Sequence, residues 1–217
     1  MPIVTKSNPV VAEIDIFPIE PGRQQPLLDG LIEYVETVLK HQPGFVSGTV
    51  HRSCDGLRVI TYVQWKNQAA YQACMGNIEV ASLSRRFAGF PQPDSHLYEI
   101  FIDEPEGTQL QPFPKMKGFI NFGIFKMKSP TNQPRFVELA IEAINMVSGQ
   151  TGLISTHFHR SLDGERCINY GHWRSQEDFA AMDTNRPFAG PFVEMMQLAD
   201  NEYQKTLHEV VFTTPVD

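Results

Sequence analysis

The chain has 217 residues, of which 41% are hydrophobic and 20% charged, and its formal net charge is −7, ordinary values for a globular protein. The acidic balance and the lack of a basic run exclude the electrostatic surface of a nucleic-acid-binding protein. No stretch is apolar for long enough to span a bilayer and the amino terminus lacks a signal-peptide pattern, so we expect no membrane association.

The first elements in chain order predict a strand, a helix, a hairpin, a second helix and a closing strand. β-branched and aromatic residues favour the first strand, and apolar residues at the spacing of one helical face favour the helix. Asp55-Gly56 predicts the hairpin turn, because both residues tolerate positive φ. The predicted segments are a strand at 10–18, a helix at 27–39, strands at 45–52 and 57–65, a helix from Asn67 and a strand at 96–102.

The second half of the chain repeats this order. Residues Gly44–Ala73 match Gly152–Ala181 without a gap, and the offset that relates Trp65 to Trp173 is 108 residues. A self-match with so long a period indicates two copies of one domain. The second set of predicted segments is a strand at 119–127, a helix at 136–147, a hairpin that turns at Asp163-Gly164, a helix capped by Ser175 and a strand at 207–212.

This order of elements gives an antiparallel sheet with helices on one side, the ferredoxin-like arrangement. The other face of each sheet needs a cover, and the second copy supplies one. We therefore predict an α+β fold in which two βαββαβ repeats form a pseudo-dimeric α/β barrel. The first repeat is predicted at residues 1–104, a proline-containing linker at 105–117 and the second repeat at 118–217. A homodimer of the fused chain is compatible with the sequence.

The three cysteines, Cys54, Cys74 and Cys167, are odd in number and do not align between the repeats. A shared disulfide framework or zinc site is therefore not expected. Free thiols are typical of a reducing compartment, so we predict a cytoplasmic location.

One strand of the second repeat has the side chains for a ligand site. Residues four apart on a strand point the same way, so Asn169 and Trp173 share a face, with Gly171 leaving a notch between them. With a two-residue hairpin turn, Phe158 lies opposite Asn169 and Thr156 opposite Gly171. An apolar wall with an amide and an indole N–H suits a planar aromatic ligand. The alternative interpretation is that both tryptophans are core aromatics under a helix.

The Asn-x-x-x-Trp strand, within a unit of about 100 residues, resembles the antibiotic biosynthesis monooxygenase family of dimeric α/β barrels. The resemblance covers both halves, most clearly the hairpin and the following helix. Members that oxidise anthrone-like polyketides use oxygen without a metal, flavin or haem. The resemblance therefore implies a small aromatic substrate and O2 as partners, and no cofactor.

The family's pocket residues are divided between the two repeats. The second repeat has Asn169 and Trp173 at matching positions, and Arg186 is its candidate arginine. It has Phe179 where the family has a tyrosine. Because it keeps the Asn–Trp pair, the second repeat is predicted to be the better site, with Asn169, Trp173 and Arg186 as catalytic residues.

The first repeat keeps the complementary part of the pattern. It has Trp65, Tyr71 and an arginine at Arg85 or Arg86, but Thr61 where the family has asparagine. We predict substrate-binding roles for these first-repeat residues together with Thr156, Phe158 and Phe179 of the second.

The resemblance implies that a planar phenol, anthrone or hydroquinone is oxidised by O2. Asn169 and Trp173 would donate hydrogen bonds to a developing enolate oxygen, and Arg186 would lower the pKa of the substrate. The rival hypothesis is a non-catalytic ligand-binding or interaction barrel with decayed pockets, since the fold alone supports many functions.

Histidines suggest two further hypotheses. His157, His159 and His172 share the strand face opposite Asn169 and could bind a metal, but the first repeat keeps only His51. Haem-degrading relatives ligate iron through a histidine on the second helix, and neither second helix here contains one. Neither a metal nor haem is therefore expected. The recurring His-Arg-Ser triplets at 51–53 and 159–161 are interpreted as structural parts of the hairpins, and Asp55 and Asp163 as turn residues.

Overall fold

The computed structural model describes residues 2–182, 190–202 and 206–214, without the side chains of residues 145–147. The strands are β1 Val11–Pro18, β2 Phe45–Ser53, β3 Arg58–Trp65, β4 Asp94–Glu104, β5 Phe119–Met127, β6 Leu153–Ser161, β7 Arg166–Trp173, β8 Ala199–Asn201 and β9 Leu207–Thr213. The helices are α1 Gln24–Thr37, α2 Gln68–Met75, α3 Ile78–Ser84, α4 Gln133–Val147, α5 Gln176–Met182 and α6 Pro191–Leu198. Short 3₁₀ turns lie at Leu39–His41, Arg85–Phe87 and Pro130–Asn132.

Eight of the described strands close into one antiparallel barrel. Their order is β7-β6-β4-β1-β3-β2-β9-β5, and β5 pairs again with β7 to complete the ring, while β8 extends outward from β5. The predicted α+β class and pseudo-dimeric barrel are therefore confirmed. Within the described part of the chain, no helix has both the length and the apolarity of a membrane span.

The last strand of each repeat joins the two repeats. Strand β4 pairs with β1 of its own repeat and with β6 of the other, and β9 pairs with β5 and β2 in the same manner. Closure removes the free edges that an open sheet would expose. A single chain thus completes the barrel that two separate domains would otherwise form.

The hairpins have the predicted register, with positive φ at the glycines of the turns and not at the aspartates. Gly56 and Gly164 have φ of 77° and 81°, and the preceding aspartates accept a backbone hydrogen bond at 2.9 Å two residues later. In the second hairpin Phe158 lies opposite Asn169 and Thr156 opposite Gly171, as the two-residue turn predicts.

The barrel interior contains two related polar pairs within an apolar core. The ring nitrogen Nε2 of His51 lies 2.8 Å from the Tyr170 hydroxyl, and Nε2 of His159 lies 2.9 Å from the Tyr62 hydroxyl. All four side chains are fully buried. Each histidine is bonded to a tyrosine of the other repeat, which supports the structural interpretation of these triplet residues.

The other triplet residues also have structural partners. Arg52 and Arg160 donate to Glu209 and Glu99 at 2.7 Å, so these arginines bind carboxylates on neighbouring strands rather than turn carbonyls. The hydroxyls of Ser53 and Ser161 each accept a backbone N–H from five residues further along at 2.8 Å.

Three short elements were not predicted: α3, α6 and β8. Helix α3 has seven residues and buries only Val80, so it lacks the repeated apolar face that predicts a helix. Asn77 caps it by accepting the backbone N–H of Glu79 at 2.9 Å.

Candidate active site

The first repeat contains a cavity of about 510 Å³ between the outer face of its strands and the helices that cover them. Three of the predicted site residues line it: Thr61 on β3, Tyr71 on α2 and Arg85 in the 3₁₀ turn after α3. The fourth, Trp65, is fully buried beside the cavity, and its ring meets that of Tyr71 edge-on at 6.2 Å.

Strand alternation determines which side chains of β1 face this cavity. Ala12, Ile14 and Ile16 point into the barrel core, so the intervening residues, Glu13 and Asp15, point outward beneath the helices. Both carboxyl groups line the cavity. Neither residue was among the predicted site residues.

Each carboxyl group accepts a hydrogen bond from β3. The indole N–H of Trp65 donates to Glu13 Oε2 at 3.0 Å, and the hydroxyl of Thr61 donates to Asp15 Oδ2 at 3.0 Å. The register of β1 and β3 explains both contacts. Asp15 lies directly opposite Thr61, and Glu13 lies opposite Val63, so that Trp65 is its diagonal neighbour two residues further along β3. Trp65 is therefore a donor to the protein's own Glu13 carboxyl group in this repeat.

Burial changes the proton affinity of these two groups. Burial, followed by the charge of Asp15, raises the pKa of Glu13 well above its ordinary value, and the indole of Trp65 lowers it by a smaller amount. Burial also raises the pKa of Asp15, while the hydroxyls of Ser95 and Thr61 act in the opposite direction. Glu13 is 7% exposed and Asp15 is half-buried.

Two phenols complete the cavity wall. Burial raises the pKa of Tyr34 and that of Tyr71 far above neutrality, so both hydroxyls are neutral donors at physiological pH. Arg85 is exposed and supplies a positive charge at the cavity wall. The cavity thus combines flat apolar surface, two neutral donors, one cation and two carboxyl groups.

In the second repeat the Asn–Trp strand has a related but different arrangement. The hydroxyl of Thr156 donates to the side-chain oxygen of Asn169, which leaves the amide nitrogen as the group able to donate to a ligand. A Cβ at Gly171 would lie 3.1 Å from the indole nitrogen of Trp173 and 3.8 Å from the Thr156 hydroxyl. The side chains of Thr156 and Trp173 therefore lie on one side of β7.

The remaining predicted residues of the second repeat lie in different surroundings. Phe179 on α5 meets the Trp173 ring edge-on at 5.3 Å. Phe158 packs in the core beneath α4, with its ring 6.1 Å from that of Phe101. Arg186 lies outside the described residues.

The acidic pair of the first repeat has no counterpart in the second. At the 108-residue offset, Asn121 replaces Glu13 and Gly123 replaces Asp15, and Gly123 lies opposite Asn169 just as Asp15 lies opposite Thr61. The amide nitrogen of Asn121 is buried and has no hydrogen-bond partner. Comparison of β1 with β5 at this offset could have revealed Glu13 and Asp15 from the sequence. Acidic residues are depleted in strands, so two of them in β1 that are absent from β5 are unusual.

The predicted alternative of a three-histidine metal site is not supported by the geometry. His157 bonds Asp103 at 2.9 Å, His172 bonds the Lys117 carbonyl at 2.8 Å, and His159 bonds a tyrosine. In the described ranges, the one group whose ligand atoms converge comprises His96, Asp163 and Glu165. Its His96 is already bonded to Asp163 and Asp94.

Residues 9–81 match the family model described as antibiotic biosynthesis monooxygenase. Tetracenomycin-F1 monooxygenase of Streptomyces glaucescens is 36% identical over 73 residues, which are 34% of this chain and 65% of that protein. Residues 9–81 of this chain therefore resemble the antibiotic biosynthesis monooxygenase family. The family match contains β1 to α2 and therefore both carboxyl groups of the first-repeat cavity.

Solved structures resemble the whole chain. The crystal structure of an anthrone oxidase-like protein superposes with a TM-score of 0.84 at 16% identity and covers 98% of this chain and 96% of that one. A candidate monooxygenase of Fusobacterium nucleatum superposes with a TM-score of 0.60 at 9% identity and covers 95% and 94%. At these identities the likeness concerns the fold, and it extends over both repeats.

Proposed function

We propose that the chain catalyses a monooxygenase-like oxidation of a small planar phenol, anthrone or hydroquinone by O2, without a cofactor. The match of residues 9–81 to the antibiotic biosynthesis monooxygenase family model supports the reaction class. The partial match to tetracenomycin-F1 monooxygenase also supports a monooxygenase reaction.

The observation that carries the proposal is the cavity of the first repeat. Its volume of about 510 Å³ lies within the roughly 300–1,000 Å³ of small-molecule pockets. Aromatic and aliphatic side chains offer flat surface for stacking, and a few polar groups can orient the ligand. Part of the cavity wall, including Glu13, Asp15, Thr61 and Tyr71, also lies within the residues that match the family model.

For an anthrone, the reaction converts a ring methylene into a carbonyl group. One oxygen atom of O2 becomes the new carbonyl oxygen, and the other leaves as water with the two methylene hydrogens. The substrate loses a proton first, and its anion then gives electrons to O2. The protein must bind the flat ring, favour the anion and exclude bulk water.

Either repeat contains groups that can stabilise the anion. In the first repeat, the hydroxyl of Tyr71 and the guanidinium of Arg85 can face a developing enolate oxygen. In the second, the amide of Asn169 and the indole of Trp173 are the proposed donors, with Arg186 as the proposed cation. The two sets make different mutational predictions, so they can be separated by experiment.

Oxygen uptake with a panel of anthrones and hydroquinones tests the proposal. We expect the full chain to consume one O2 per anthrone, and Tyr71→Phe to slow turnover at least about tenfold if the first-repeat cavity is the active site. A loss in Trp173→Phe instead would assign the reaction to the second repeat. Binding of these compounds without oxygen uptake would support a non-catalytic ligand-binding barrel and contradict the proposed function.

A further inference from the structure

An oxidation that passes through a substrate anion needs a group that accepts the substrate proton. This inference rests on the proposed function, because it concerns that first proton transfer in the first-repeat cavity. A general base must lie at the cavity wall and must be ionised before the substrate arrives.

Most titratable groups around the cavity cannot accept a proton at neutral pH. Tyr34 and Tyr71 are protonated donors because burial raises the pKa of both phenols. Burial also raises the pKa of the nearby Cys74 thiol, to about 11. Arg85 is a cation. The two carboxyl groups of β1 remain.

The two carboxyl groups differ in how they meet the cavity. Glu13 is almost fully buried, and one of its oxygens accepts the indole N–H of Trp65. Asp15 is half-buried and lines the cavity. The Thr61 hydroxyl donates to Asp15 Oδ2 and the Ser95 hydroxyl also donates to this carboxylate, so both contacts hold its orientation at the cavity wall.

We propose that Asp15 is the catalytic base of this protein, and that its carboxylate removes the acidic C–H or O–H proton of a substrate bound in the first-repeat cavity. The proton moves to a carboxylate oxygen of Asp15, and the electron pair of the broken bond stays on the substrate. The resulting anion reduces O2, which is the oxidant of the proposed reaction.

Glu13 is a positioning residue in this arrangement. Its pKa is raised more strongly than that of Asp15, partly by the Asp15 charge itself, so the first proton taken up by the pair resides on Glu13. A neutral Glu13 leaves Asp15 ionised and avoids two adjacent buried charges. The pair therefore titrates as a unit.

The second repeat cannot perform this step in the same way. Gly123 stands at the position of Asp15 and Asn121 at that of Glu13, so β5 brings no carboxyl group to the matching face. The duplication has thus left the proposed base in one repeat only. This asymmetry predicts that proton abstraction depends on β1 and not on β5.

Titratable groups on several neighbouring elements affect the protonation of Asp15. The groups that face or influence it are Glu13 on β1, Tyr34 on α1, Tyr71 on α2, Arg85 in the turn after α3, and His96 on β4. At neutral pH, Arg85 is the cation that lines the cavity. Acidification protonates the carboxyl pair, so activity should fall on the acid side, at a pH above the range of an ordinary carboxyl group.

The test uses Asp15→Asn, Asp15→Glu and the matched control Asp29→Asn, whose carboxylate is exposed on α1. We expect Asp15→Asn to lower kcat/KM for an anthrone about 100-fold or more, and its remaining activity should no longer fall at acid pH. Asp15→Glu should restore part of the activity, with the fall in activity at a different pH from the wild type. Asp29→Asn should match the wild type.

Anaerobic binding gives a readout that does not depend on oxygen chemistry. The probe is 1,8-dihydroxyanthrone, whose deprotonated form absorbs at longer wavelength than the neutral form. We expect the wild type and Asp29→Asn to bind it with the long-wavelength band of the anion, and folded Asp15→Asn to bind it without that band. Thermal unfolding checks that each variant is folded.

The outcomes separate the two proposals. An anion band that depends on Asp15, without oxygen uptake, would support the base and overturn the proposed oxidation. If Asp15→Asn consumes oxygen at a rate within about threefold of the wild type and its activity still falls at acid pH, Asp15 is not the catalytic base. An anion band of equal strength in Asp15→Asn would overturn it as well.

Discussion

At the scale of single residues, three substitutions on neighbouring strands distinguish the outer faces of the two repeats. The first repeat has Glu13, Asp15 and Thr61. The second repeat has Asn121, Gly123 and Asn169 at the same positions. The first set offers carboxylate acceptors and the second offers amide donors, so the two faces suit different steps of an oxidation.

Asn169→Ala tests the proposed donor of the second repeat. If that amide stabilises a developing enolate oxygen, the variant should slow oxidation about 100-fold and weaken substrate binding by a smaller factor. Steady-state oxygen uptake and anaerobic titration measure the two effects separately. Gln25→Ala, on the exposed surface of α1, is the control, and unchanged turnover in Asn169→Ala would remove the assignment.

At the scale of elements, a glycine precedes the first hairpin strand of each repeat. Gly44 and Gly152 are related by the 108-residue offset and have φ of 82° and 83°. A Cβ at residue 44 would collide with Ala70 on α2, and one at residue 152 with Asp178 on α5. Close approach and backbone conformation together require glycine here, and this junction brings the second helix against the cavity strand.

Gly44→Ala should therefore destabilise the fold by at least about 2 kcal/mol, because a strained φ is added to a clash with a helix. Gly22→Ala is the matched control. Gly22 has the same φ of 82° but nothing within 4 Å of its added Cβ, so it should cost only about 1 kcal/mol. Urea unfolding of both variants measures the difference, and equal losses would show that the Ala70 contact is unimportant.

At the scale of the whole molecule, closure of the barrel buries histidines that would be exposed to solvent in an open sheet. Burial lowers the pKa of His51 and His159 to about 3 and that of His208 to about 4. In the unfolded chain histidine titrates near 6.5. Each histidine thus contributes to the free energy of unfolding above pH 6.5. This contribution is lost as the pH falls from 6.5 towards the lower pKa of the folded state.

His159→Gln should reduce this acid sensitivity. Glutamine keeps a hydrogen-bonding amide for Tyr62 but does not titrate, so the slope of the unfolding free energy between pH 4.5 and 6 should fall by about 1.4 kcal/mol per pH unit. The measurement is urea unfolding at several pH values. His41→Gln, at an exposed histidine, should keep the wild-type slope, and an unchanged slope in His159→Gln would contradict the assignment.

The buried carboxyl groups act in the opposite direction in the same pH window. Because the pKa of Glu13 is raised in the folded state, its contribution to stability is lost as the pH rises above the unfolded value. The comparison of His159→Gln with the wild type is unaffected, since Glu13 is present in both.

Patterns in the sequence were enough to predict the doubled βαββαβ plan, the hairpin register and the barrel. These follow from local rules: apolar periodicity, Asp-Gly turns and strand alternation each act within a few residues. The same rules failed for α3, which buries one side chain and leaves no periodic signal.

The surroundings of each functional group, in contrast, depend on contacts between distant parts of the chain. Trp65 and Thr61 were predicted to bind a substrate, and the fold shows that both also donate to carboxyl groups on β1, a strand more than 40 residues away in the chain. Strand β1 taken alone shows only two acids in an apolar run, and their burial under α1 and α2 depends on helices that pack later in the chain. Long-range pairing therefore gave Asp15 and Glu13 their chemistry, because proton affinity depends on the surroundings of a group and not on its neighbours in sequence.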